Sequence, residues 1–450
     1  MDSTLACLAA WMPRQRWYAG KGRPPSLRLV GWWDLSAHDD ANARIRTFLV
    51  ADEAALPVVR YQVPVVMRPT EAVDAPEATW IGSPEPGVTF IDGPTDPAYA
   101  RALLSLATGD RTATGPQMTA TGHPAAHLEE EVRTAEVLSG EQSNTSIIHR
   151  AAHTPVICKV FRQLSPGLNP DIELATALAQ AGSRHVPASY GWVEGRWNDG
   201  GGEATGSLAF VQEFLPDVED AWRVALRAAA RGDDFSEPAG RLGEATAEVH
   251  LLLADLFPTR ENSSADREAT AATWHRRLTI ALAEVPAIAE RAAGIEAVYR
   301  RAADAAWPRR QRIHGDYHLG QVLHHAERGW VLLDFEGEPL RPMRERIEPD
   351  LAIRDVAGML RSFDYVAGSL RRDDPERSPD GVPAWAARAR AAFVAGYGAR
   401  SGVVLDQRDP VLTAMELDKA VYEAIYESRN RPTWVAIPLR AISRLLESTD

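Results

Sequence analysis

Two short strings constrain this chain more than any other feature: His314-Gly315-Asp316-Tyr317-His318-Leu319-Gly320-Gln321, and then Val331-Leu332-Leu333-Asp334-Phe335-Glu336. Each sets polar, oxygen-bearing side chains at the end of an apolar run, so the runs must be buried while the polar ends meet solvent or ligand. Phosphoryl transfer to an alcohol asks for a carboxylate beside the attacking hydroxyl and for oxygen ligands that hold Mg²⁺ on the phosphates. Asp316 supplies the first, and Gln321 with Asp334 the second. Taken singly, an Asp after Gly is an ordinary turn former and an Asp at a strand end an ordinary helix cap. In this order, with apolar runs on both sides, the chemical reading prevails.

Around these strings the chain changes character along its length. Segments 27–33, 45–50 and 58–66 are β-branched or aromatic runs bounded by turn residues, with Pro57, Pro64 and Pro69 predicting edge or broken strands. A helix is expected over 97–107, and the polar stretch 108–123 reads as a boundary. A second β-rich region follows, with strands at 131–138, 146–149, 155–161, 188–194 and 207–214. One helix lies among them, starting at Asn169-Pro170-Asp171. Beyond Pro216 the spacing is helical over 241–257, 270–292, 295–307, 385–397, 409–428 and 439–447. The expected architecture is α+β: a β-rich cap at 1–110, a small β-rich lobe with one helix at 124–215, and a mainly helical C-lobe at 216–450.

Bulk properties narrow the function. The chain has 450 residues, with 49 basic against 62 acidic side chains, for a net charge of −13. That balance disfavours nucleic acid as a partner, because such binders replace counterions with a basic surface. No run of about 18 apolar residues predicts a membrane span. The first residues lack the basic region of a secretory signal, and two cysteines, Cys7 and Cys158, cannot build a disulfide framework. A cytoplasmic location is expected.

Other residues carry weaker signals. Lys159 lies inside the apolar run Val156-Ile157-Cys158-Lys159-Val160-Phe161, where an unpaired ammonium is costly. It is either a strand lysine reaching for solvent or a phosphate ligand paired with a helix carboxylate, for which Glu173 is placed. Ser143, Asn144 and Thr145 follow Gly140 between two strands, as a plain hairpin turn or as donors to phosphates. Ala19-Gly20-Lys21-Gly22 lacks the rest of a Walker loop. His314, His318, His324 and His325 have no cysteine partners and no H-E-x-x-H spacing, so zinc is not expected. His318 is a candidate for hydrogen bonding a substrate hydroxyl. Near the C-terminus, Glu416, Ala420, Glu423 and Glu427 share a helix face near Tyr422, Tyr426, Arg431 and Trp434. This is either a solvated helix end or a sugar site.

Taken together, these residues resemble actinobacterial maltokinases, within the aminoglycoside-phosphotransferase-like and eukaryotic-kinase-like group. The shared strings are Pro13-Arg14-Gln15-Arg16-Trp17-Tyr18-Ala19-Gly20-Lys21, Asp334-Phe335-Glu336-Gly337-Glu338-Pro339, Arg354-Asp355-Val356-Ala357-Gly358-Met359-Leu360-Arg361-Ser362-Phe363, and the block from Glu416 to Leu439. The resemblance implies a bilobal protein-kinase-like fold with an N-terminal cap subdomain and an ATP-binding lobe at 124–215, and ATP-dependent phosphorylation of the anomeric hydroxyl of maltose, giving maltose 1-phosphate for α-glucan synthesis. It implies Asp316 as base, Gln321 and Asp334 as Mg²⁺ ligands, and Lys159 on the phosphates. His318, Tyr422, Glu423, Arg431 and Trp434 become acceptor-site candidates. A trehalose synthase is the type of partner the family implies, although no interface is legible here. Glucosamine kinases share the catalytic strings, and an acidic face at Glu416, Glu423 and Glu427 suits their ammonium. A pseudokinase scaffold is the alternative from another class, opposed by the intact Lys159, Asp316, Gln321 and Asp334. Protein kinase activity is disfavoured by the missing A-P-E motif.

Overall fold

A computed structural model describes residues 2–37, 40–128, 134–138, 144–151, 153–198, 200–338, 341–373 and 381–447. The chain forms two compact units, Met1–Thr176 with Pro187–Pro216, and Ala177–Val186 with Asp217–Asp450.

The first unit opens with helix α1 (Asp2–Trp11) and strands β1 (Leu27–Leu35), β2 (Arg44–Asp52), β3 (Val59–Pro69), β4 (Trp80–Glu85) and β5 (Val88–Asp92). Helix α2 (Pro97–Ala107) and strands β6 (Thr112–Gly115), β7 (Met118–Pro124), β8 (Thr134–Val137), β9 (Asn144–Arg150), β10 (Val156–Phe161) and β11 (Gln163–Leu164) follow. Helix α3 (Pro170–Gln180), which belongs to this unit as far as Thr176, and strands β12 (Ser189–Asn198) and β13 (Glu203–Glu213) close the series. One sheet runs β1-β2-β3-β5-β4, with β11 on β3; the other runs β6-β7-β12-β13-β10-β9-β8. Trp11, Trp17, Tyr18, Phe48, Tyr61 and Phe90 fill the core of the first sheet.

One expectation is corrected here. β3 is an interior strand although it contains Pro64. Its outer edge pairs with β11 at Arg60 and Tyr61 and with β5 from Val65 onward. Pro64 falls where the partner changes, so its missing N–H leaves no ladder bond broken on that edge. The stretch 108–123, expected as a boundary, holds β6 and β7. Its glycines serve close packing: a Cβ on Gly115 would lie 1.8 Å from the Trp32 carbonyl oxygen.

In the second unit, strand β14 (Glu219–Asp220) leads into helices α4 (Ala221–Arg231), α5 (Ser236–Leu256), α6 (Ser264–Glu284) and α7 (Ala292–Ala303). Strands β15 (Arg310–Gln311), β16 (Val322–His325) and β17 (Gly329–Leu332), the short helix α8 (Met343–Arg346) and strand β18 (Asp350–Leu351) come next. Helices α9 (Ile353–Asp373), α10 (Val382–Ser401), α11 (Pro410–Asn430) and α12 (Ala436–Glu447) complete it. β16 and β17 form a hairpin whose open end carries both Gln321, just before β16, and Asp334, just after β17. α9 is absent from the helices read by spacing, because its buried side include Asp355, Arg361 and Ser362 among the apolar residues. Gly358 lets it approach the loop of Asp316: a Cβ there would lie 2.5 Å from the Tyr317 carbonyl oxygen.

Candidate active site

The loop bearing Asp316 is gripped from behind by buried polar groups. Asp355 Oδ2 accepts the backbone N–H of His314 at 2.8 Å, and its Oδ1 accepts that of Gly315 at 2.9 Å. His250 Nε2 stands 3.0 Å from Asp355 Oδ2, and His250 Nδ1 stands 3.0 Å from the Tyr397 hydroxyl. Burial pushes the Asp355 carboxyl up, yet the His250 bond and the loop N–H groups outweigh it and leave it below its usual range. Ser362 Oγ accepts the Leu319 N–H at 3.1 Å, and the Tyr317 hydroxyl meets Thr246 Oγ1 at 2.8 Å. His314 Nε2 lies 2.8 Å from the Leu333 carbonyl oxygen, while its Nδ1 accepts the Asp316 N–H at 3.4 Å. The pattern assigns the ring proton to Nε2.

At the hairpin, Gln321 Nε2 donates to Asp334 Oδ2 at 3.3 Å. Asp334 has φ of 64°, a left-handed conformation that costs about 1 kcal/mol or more in a non-glycine residue. Such strain is retained where the surrounding fold fixes a side chain in place. Glu336 brings a second carboxylate oxygen within 4.8 Å of Asp334. Carboxylate and amide oxygens suit a hard cation such as Mg²⁺, so the donor set fits the ion expected. Glu336 was quoted in its motif but not singled out by spacing.

Beside Asp316 lies a cavity of about 530 Å³. Asp316, Arg277, Glu338, Asp418, Lys419 and Tyr422 are among its walls, with Asp266, Thr270, Arg310, Arg341, Asp350 and Arg354 further along. Lys419 Nζ stands 3.7 Å from Asp316 Oδ1. Arg354 bonds both Glu338, at 2.9 Å, and Asp350, at 3.1 Å, while Arg310 reaches Asp350 at 3.2 Å. Arg277 pairs with Asp418 and lies 5.2 Å from the centre of the Tyr422 ring. Burial raises the Glu338 carboxyl, but Lys419, Arg354 and Arg341 more than offset this and lower it. Tyr422 is pushed up to about 12 by burial and by Glu338. Burial also drives the Arg346 guanidinium down, against the opposing pull of Glu336, Asp316, Glu338 and Asp334.

The acceptor candidates read from the sequence divide. Tyr422 lines this cavity; Glu416, Glu423, Glu427, Arg431 and Trp434 do not. Glu416 is held by Arg390 at 2.7 and 2.9 Å and by Arg444 at 2.7 Å. Glu423 receives Arg361 at 2.9 and 2.7 Å. Glu427 receives Arg431 at 2.6 Å and the Tyr365 hydroxyl at 2.9 Å. Trp434 has Arg372 at 3.8 Å and Arg431 at 4.5 Å from its ring centre. The acidic face of α11 is thus turned to arginines of α9, α10 and α12. The adjoining face, with Met415, Asp418, Lys419 and Tyr422, borders the cavity. Asp418 and Lys419 were visible in the sequence, but as adjacent opposite charges they resemble a solvated surface. His318 Nδ1 accepts the Gly320 N–H at 3.0 Å, and burial lowers its pKa despite the Asp316 charge.

In the first unit, Lys159 on β10 lies opposite Ser146 and Phe210 in the sheet register. Its Nζ is 3.3 Å from Asp171 Oδ2. Asp171 follows the cap residue Asn169, whose Oδ1 accepts the Asp171 N–H at 2.9 Å. Asp171 is thus one carboxylate bonded to this lysine, and Glu173 lies two residues on in the same first turn of α3. Asn144 and Thr145 start β9, and Thr145 Oγ1 accepts Arg162 Nε at 2.9 Å. Arg162 in turn holds both Asp92 oxygens at 2.9 Å. Ser143 lies outside the described residues.

Comparison with known proteins places this geometry. Residues 11–96 match the maltokinase N-terminal cap domain, and residues 134–401 match the phosphotransferase enzyme family. A glucosamine kinase of Streptacidiphilus jiangxiensis is 31% identical over 322 residues, covering 68% of this chain and 72% of the relative. One from Mycolicibacterium smegmatis is 30% identical over 322 residues, covering 68% and 78%. A solved glucosamine kinase in complex with glucosamine, ADP and inorganic phosphate superposes with a TM-score of 0.69 at 25% identity, over 98% of both chains. Among the described residues, no helix is long and apolar enough to cross a membrane.

Proposed function

We propose that this chain, which belongs to the phosphotransferase enzyme family and carries the maltokinase N-terminal cap, phosphorylates maltose at its anomeric hydroxyl with ATP as donor. That it is a sugar kinase agrees with its relatives and with the Asp316 loop. The choice of a neutral sugar rests on one observation: four carboxylates of the cavity wall, Asp316, Glu338, Asp350 and Asp418, are already matched with cations. Glu338 and Asp350 hold Arg354, Asp418 holds Arg277, and Asp316 faces Lys419. An arriving ammonium would compete with these arginines. A polyhydroxylated neutral acceptor can instead bridge donors and acceptors without disturbing the charge balance.

In the proposed transfer the acceptor oxygen attacks the γ-phosphorus while the bond to the bridging oxygen of ADP breaks, and the hydroxyl proton passes to Asp316. Bound Mg²⁺ neutralises phosphate charge and fixes the phosphate oxygens for in-line displacement. Gln321 and Asp334 would hold the ion, with Glu336 beside them. Lys159, steadied by Asp171, would bind the nucleotide phosphates, with the β9 residues Asn144 and Thr145 near that end of the strand pair. The protein's contribution is position and charge rather than a covalent intermediate.

A second reading, glucosamine as acceptor, is favoured by the names of the relatives in the comparisons. ADP release measured with maltose, with glucosamine and without sugar separates the two. Turnover of maltose, with the product phosphorylated at the anomeric carbon, is expected. Turnover of glucosamine with none of maltose overturns the assignment.

A further inference from the structure

We infer that Lys419 is a positioning residue for the phosphoryl transfer, holding the Asp316 carboxylate toward the acceptor through its ammonium group. The inference rests on the sugar-kinase reading of Asp316, and on no particular sugar.

The catalytic loop supplies no cation of its own, since residues 314–321 contain neither Lys nor Arg. His314 is committed to the Leu333 carbonyl, and burial disfavours the charged form of His318. Among the described residues, the ion pair that Asp316 makes is with Lys419, at 3.7 Å. Asp355 fixes the loop backbone, but a fixed backbone leaves the Asp316 side chain free to rotate. A charge placed at the cavity wall selects among those rotamers.

Lys419 is well placed to do this because its helix is clamped on both sides of it. Glu416 is bound by Arg390 and Arg444, Asp418 by Arg277, and Glu423 by Arg361, so the backbone at 419 has little freedom. The ammonium itself lies 5.7 Å from the centre of the Tyr422 ring and within the field of Glu338. At 31% side-chain exposure it remains accessible to ligand.

Two variants and a labelling experiment test the inference. K419M is expected to lower kcat by about 10- to 100-fold while KM for sugar and for ATP stays within about threefold, which marks loss of transition-state stabilisation rather than of binding. K419R should recover most of that loss, and the melting temperature of both variants should match wild type. Whichever of maltose or glucosamine wild type uses serves as acceptor, so an error in the sugar assignment does not affect the outcome. A K419M kcat within about twofold of wild type overturns the inference, as does a lowered kcat with a matching loss of thermal stability and no rescue by K419R. Independently of turnover, acetylation of Lys419 followed by mass spectrometry should be several-fold faster in D316N than in wild type. Equal rates would show that the two side chains are not paired in solution, and would also overturn it.

Discussion

Asp355 Oδ1 accepts the backbone N–H of Gly315 at 2.9 Å, one residue before the proposed base, from a carboxylate only 1% exposed. This bond, with its twin to His314, ties α9 to the catalytic loop, and its loss should be felt in both stability and turnover. D355A leaves two loop N–H groups and His250 without their acceptor. Removing one partner of a buried charged network typically costs about 3–5 kcal/mol. Urea unfolding should show a loss of that order, and the folded fraction should have lowered kcat.

Glu416 gives a prediction about pH. Burial alone would raise its carboxyl, but Arg390 and Arg444 outweigh it and depress it from 4.5 to about 2. A carboxyl lowered in the folded state adds stability that is present above its unfolded value and lost as pH falls through the folded one. Wild-type stability should therefore fall between pH 4.5 and about 2. E416Q should lose that component of the pH dependence and be less stable at neutral pH by about 3 kcal/mol, with acceptor KM unchanged. A raised KM in a fully folded E416Q would return Glu416 to the sugar site.

The two faces of α11 make opposite predictions for acceptor binding. Y422A removes a ring from the cavity wall and should raise KM for the sugar about tenfold, as loss of an aromatic contact does. W434A removes a ring stacked between Arg372 and Arg431 and should leave KM near wild type. Initial-rate kinetics over a range of sugar concentrations decides this.

The metal assignment is testable without turnover. Q321A and D334A should each weaken binding of Mg²⁺-ADP at limiting Mg²⁺ by about tenfold or more in calorimetry, with little change in ADP binding when Mg²⁺ is absent. Equal weakening with and without the ion would assign these residues to the nucleotide instead.

The grouping of Asp316, Gln321 and Asp334 in the candidate site was legible because it is local in sequence. Asp316, Gln321 and Asp334 are separated by few residues, and the hairpin of β16 and β17 brings the last two together. The acceptor side was legible only in part. α11 was recognised by spacing, but which of its faces meets the cavity is decided by arginines 26 to 62 residues away, at 361 and 390. No local pattern reports such partners. For Lys159, spacing led to the acidic first turn of α3, where capping by Asn169 brings Asp171 to the lysine. Helix α9 escaped spacing because buried polar residues interrupt its apolar face, and two of them, Asp355 and Ser362, hold the loop of Asp316.

The most direct test of the whole account is the turnover of D316N against wild type, measured as ADP release with saturating ATP, Mg²⁺ and sugar. A fall of about 10²–10⁴-fold with unchanged melting temperature is predicted if Asp316 accepts the acceptor proton. A D316N rate within about threefold of wild type would contradict it.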